Sequence, residues 1–149
     1  MKFTQLFITT ALAASTAFAN DHLTQIRDQA GRLGKEFQDI RTTLKDKQFN
    51  VPEMQGRVNT IDGNIENLKK LSAQFEEANP SMTASKDWIQ AKEVMLLINM
   101  FHEQKSQMLG ADAKTMRTQI RAQAQNLAIR ALFLEKTSIR LLKTMAGGA

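Results

Sequence analysis

Between Leu23 and Leu44 the apolar positions Leu23, Ile26, Ala30, Leu33, Phe37, Ile40 and Leu44 follow one another at alternating steps of 3 and 4. A sustained heptad of this kind predicts one long helix with a narrow apolar stripe. Gly31 and Gly34 fall inside it, where glycine weakens a helix locally but lets another helix cross closely. A polar break follows at 45–50, and Pro52 suits the first turn of a helix, where its missing N–H is not needed. Val51, Met54, Val58, Ile61, Ile65, Leu68, Ser72 and Phe75 then form a second stripe, which should end before Pro80 with Asn79 in the turn.

Ser85 is the expected N-cap of a third helix that ends at Leu109-Gly110, where glycine suits a left-handed cap. Within it, seven of the eight residues from Val94 to Phe101 are apolar, so this helix is expected to be buried on several sides. Asp112 can cap a fourth helix. Its main stripe is Met116, Ile120, Ala124, Leu127, Ala131, Leu134, Ser138, Leu141 and Met145. Ala128, Leu132, Ile139 and Leu142 lie beside that stripe, and Ile129 and Phe133 point elsewhere again, leaving more apolar surface than one seam requires. Four helices with short connections predict an all-α chain. The simplest architecture is a four-helix up-down-up-down bundle, and the alternative is a long antiparallel helical hairpin on a two-helix base. The absence of cysteine and tyrosine and the presence of only two prolines agree with helix over sheet.

The first nineteen residues depart from this pattern. Lys2 precedes an apolar run from Leu6 to Ala14, and Ala17-Phe18-Ala19 follows. This is the layout of a cleaved secretory signal peptide over 1–19, too short an apolar run to serve as a membrane span. A single helical-bundle domain over 20–149 is then expected in the periplasm or outside the cell. Without cysteine it has no disulfide, no thiolate metal site and no c-type haem attachment.

The charge is unevenly spread. Residues 20–111 hold twelve basic and thirteen acidic side chains, whereas 112–149 hold seven and two. Turning 100° per residue puts Lys114, Arg117, Arg121, Lys136, Arg140 and Lys143 within about 140° of arc on the fourth helix, leaving out only Arg130. A basic amphipathic helix fits an acidic protein groove or an anionic membrane surface. Nucleic acid fits less well, because no aromatics interleave the cations. Arg117, Arg121, Leu132, Phe133, Ile139 and Arg140 are therefore the expected partner-binding residues, and the partner is another envelope protein or a second copy of the chain.

Two histidines invite metal chemistry. Cleavage after Ala19 would expose Asn20-Asp21-His22. A free amine, two deprotonated amides and an imidazole then make a square-planar site for Cu(II) or Ni(II). His102 lies seven residues after Met95 on one face of the third helix, the kind of placement that in a helical bundle can ligate a b-type haem. Methionine in a helical core is usually packing, so haem is not expected, and no other cofactor is implied. Carboxylate pairs such as Glu76-Glu77 read as solvated. There is no phosphate-binding glycine loop, no H-E-x-x-H and no G-x-S-x-G, so no enzyme is expected.

The sequence thus points to an exported, non-enzymatic helical protein that docks on, or self-assembles with, an envelope component. A periplasmic holdase chaperone is one alternative. Leu23-Thr24-Gln25-Ile26-Arg27 resembles the LTxxQ motif of small stress chaperones, but arginine stands at the glutamine position and no second copy occurs, so membership does not follow. In its Gln-rich helical organisation the chain is also similar to the exported minor subunits of type IV secretion pili. A Cu(II)- or haem-binding bundle is the remaining class.

Overall fold

The computed structural model describes the backbone of residues 2–46 and 48–147, and the side chains of 21–46 and 48–147. The chain is all-α and helical-bundle-like, with no strand among the described residues. Helix α1 spans Lys2–Thr43, α2 Val51–Ala78, α3 Lys86–Leu109 and α4 Ala113–Ala146. A short 3-10 turn, Pro80–Ala84, joins α2 to α3. The side chains of the expected leader and of Asn20, and residues 148–149, lie outside the described residues. Among the described residues no helix is long and apolar enough to cross a membrane.

The helices begin and end where local chemistry directs. The Asn50 side chain accepts the Glu53 N–H at 2.9 Å, and Pro52 stands in the first turn of α2. Asp112 accepts the Thr115 N–H at 2.8 Å and starts α4. This bond holds the Asp112 carboxyl below its ordinary value. Ser85 also occupies an N-cap position, but its side chain makes no capping bond. Gly110 departs from expectation more clearly. Its φ of -85° and ψ of -7° are right-handed, and its N–H bonds the Ser106 carbonyl, so this glycine ends α3 without adopting the left-handed conformation.

Every member of the first apolar stripe is buried, as are Met54 to Phe75 of the second and Met116 to Leu141 of the stripe on α4. Hydrogen bonds fix how α1 and α2 pair. Asn67 donates to Gln29 at 3.1 Å, Asn64 to Glu36 at 2.9 Å and Arg57 to Thr43 at 3.3 Å, so one helix runs down as the other runs up. On its other side α1 packs along α4. Gly34 there faces Ala131 and Gly31 lies under the Glu135 carboxylate, which gives the two glycines the close crossing their spacing suggested. At the far end Arg117 donates to the Leu44 carbonyl at 2.7 Å and closes the C-terminus of α1. Phe37 meets Phe101 of α3 edge-on at 5.4 Å across the core.

Between α2 and α3, Trp88 packs on Phe75 at 4.4 Å and donates its indole N–H to Glu76. Lys92 bonds the same carboxylate at 2.8 Å. Glu76 is therefore a latch between helices rather than a solvated end group. The hydrogen bond from Lys92 outweighs burial and, with that from Trp88, holds its carboxyl below the usual glutamate value.

Candidate docking surface

Helix α3 is apolar almost all round, yet only one side of it is covered. Trp88, Ala91, Val94, Met95, Ile98 and Phe101 face inward. Leu96 is 66% exposed, and Ile89, Leu97 and Met100 are exposed as well. The expectation that α3 is buried on several sides is thus overturned: α2 and α4 flank it, and nothing in the described chain covers its outer side. Turning 100° per residue, the four exposed residues span about 100° of that side.

The surplus on α4 joins them. Ile129 is 64% exposed, with Leu132 and Phe133 exposed on either side of it. The register between the helices follows from two contacts. Gln123 donates to Gln104 at 2.6 Å, and Arg140 lies 3.7 Å from Asp87. Leu96 is therefore level with Ala131, and Met100 with Leu127. A shallow groove of about 230 Å³ runs between them, walled by Leu97 and Met100 on one side and by Asn126 and Arg130 on the other. Every strongly exposed large apolar side chain among the described residues lies on this one outer face. Taking about 200 Å² for a fully exposed large residue, the seven present roughly 700 Å² of apolar surface, more than the largest patch of an ordinary monomer, about 300–600 Å².

Charges frame the patch asymmetrically. Glu93 and Glu103 stand exposed along α3, and Arg121 and Lys136 stand exposed along α4. Among the described residues none of these four has an ion-pair partner within the chain.

The structure divides the six residues expected to bind a partner. Leu132, Phe133 and Arg121 are exposed, the first two within the patch and Arg121 at its edge. Ile139 is half-buried beside the core. Arg117 is bound to the Leu44 and Lys45 carbonyls. Arg140 bonds Thr137 at 3.2 Å and pairs with Asp87. The α3 half of the surface escaped the sequence reading because a segment without a polar side gives no signal of which side is outward.

A second polar cluster lies between α2 and α3. Asp62 is buried, takes a hydrogen bond from His102 Nδ1 and accepts one from Lys105 at 2.9 Å. His102 Nε2 faces Glu66 at 3.4 Å. Burial pushes the Asp62 carboxyl up, but the bonds from Lys105 and His102 together outweigh it and hold it below the usual aspartate value. His102 thus has carboxylate partners on both ring nitrogens. At the other end of the molecule His22 is half-buried in α1, its Nδ1 without a hydrogen-bond partner. In the intact chain the Asp21 and His22 amides lie inside the helix, so the square-planar chelate requires cleavage and an unwound first turn. Among the described residues no group of three His, Asp or Glu side chains is arranged to hold a metal ion.

Comparison of the chain with protein-family models, with curated proteins and with solved structures gives no match.

Proposed function

We propose that this chain is an exported, non-enzymatic interaction protein that docks on a protein of the cell envelope through the outer face of α3 and α4. One observation supports the reading most: the exposed large apolar side chains gather on that face and leave the outer sides of α1 and α2 polar. A helix that must be apolar outward as well as inward is written for two contacts, one within the fold and one outside it. In the same reading the helices form an up-down-up-down four-helix bundle. The contacts of α1 with both α2 and α4, each along much of its length, favour this over a free-standing α1–α2 hairpin. The leader-like first nineteen residues support export to the periplasm or beyond.

The reading is tested by the size of the assembly in gentle envelope extracts. Leu132→Asp and Leu96→Asp should each release the protein from its complex, and Arg121→Ala should weaken it less. If all three variants stay folded and keep the wild-type assembly, the face is not the docking surface. A heterogeneous set of bound chains, in place of one stoichiometric partner, would indicate a holdase instead.

A further inference from the structure

We infer that the occupant of the α3–α4 face is a second copy of this chain, related by a two-fold axis that runs parallel to the helices. The inference rests on the docking reading and names its partner. Two such faces can meet in two simple ways. An axis across the helices, at the level of Leu96 and Ala131, would lay α4 on α4 in reverse and bring Arg121 of one copy close to Lys143 of the other, with no acid between them. An axis along the helices lays α3 of each copy on α4 of the other, at the same level.

The second arrangement matches charge to charge. With residue 104 level with 123 and 87 with 140, Glu103 lies level with Ala124, about one helical turn from Arg121. Glu103 turns toward the α2 edge of the face and Arg121 toward the α1 edge, and this axis brings those two edges together. Glu93 likewise lies level with Leu134, two residues from Lys136. Between the charges, Leu96 and Met100 of one copy meet Ile129 and Leu132 of the other. Each pairing occurs twice by symmetry. The roughly 700 Å² of apolar surface on each copy approaches the ~800 Å² per partner of a specific interface before the flanking polar groups are counted.

Sedimentation equilibrium of the purified protein tests this. The wild type should be a reversible dimer, and Leu96→Asp, whose side chain stands two-thirds exposed, should be a folded monomer by circular dichroism. Glu103→Arg and Arg121→Glu should each weaken the dimer by about tenfold, and the two together should restore it. Failure of the double reversal to restore the dimer overturns the parallel axis. A wild type that is monomeric at its highest soluble concentration, while Leu96→Asp still releases it from an envelope complex, overturns the second copy and leaves the docking reading standing. A dimer indifferent to Leu96→Asp overturns both.

Discussion

If the outer side of α3 and α4 is free surface, replacing its most exposed residues must cost the fold little. Leu96 and Ile129 are 66% and 64% exposed, so about a third of each side chain is covered within the chain. Full burial of such a side chain contributes about 1.5–3 kcal/mol. The double substitution Leu96→Gln, Ile129→Gln therefore removes at most about 2 kcal/mol, and less once the aliphatic stem of glutamine and its good helix propensity are counted. Ile98 and Ile120, on the same helices, are fully buried, and truncating either to alanine should cost about 2–5 kcal/mol. Urea unfolding followed by circular dichroism separates the two cases. It should be run at submicromolar protein, so that association adds nothing to the apparent stability. A loss above about 3 kcal/mol in the double variant would mean that these side chains pack into the fold, and the docking surface would disappear with them.

Three further outcomes follow from other parts of the molecule. Asp62→Ala should cost about 2 kcal/mol at pH 7, a value discounted because its partners Lys105 and His102 can turn to water. Because the folded Asp62 carboxyl sits below its unfolded value, its contribution is complete above about pH 4 and fades as pH falls through the folded value. The gap between wild type and variant should close in acid, and a gap independent of pH would contradict the bonding described. Gly63→Ala should stabilise the protein by about 0.5–1 kcal/mol, since an added Cβ meets nothing within 4 Å; a destabilised variant in urea unfolding would show that α2 is covered there. In protein beginning at Asn20, His22→Ala should abolish square-planar Cu(II) absorption, and an unchanged spectrum would exclude the N-terminal chelate.

The heptads of α1 and α2 and the caps at Asn79 and Asp112 were legible in the sequence because they are local: a period of 3.5 and a capping side chain act within a few residues. The outward side of α3 was not. From Val94 to Phe101 the sequence offers Asn99 as its only polar residue, and which flank faces the core depends on where α2 and α4 lie. The cluster at Asp62 was hidden for a related reason. It sits beside Ile61 in a stripe that reads as ordinary, and its partners come from 40 and 43 residues away. Arg117 reads as part of a basic partner-binding face, yet it reaches the end of α1 73 residues back. The surplus of apolar residues on α4 was visible as a count, and only packing could show that it merges with α3 into one face.

The most direct test of that face is a photo-reactive residue at position 96, activated in the protein's own cells, with position 63 on the outer side of α2 as the control. The account predicts one discrete covalent adduct from position 96, of twice the chain mass if the partner is a second copy, and none from position 63. No adduct from position 96, or the same adducts from both positions, would contradict it.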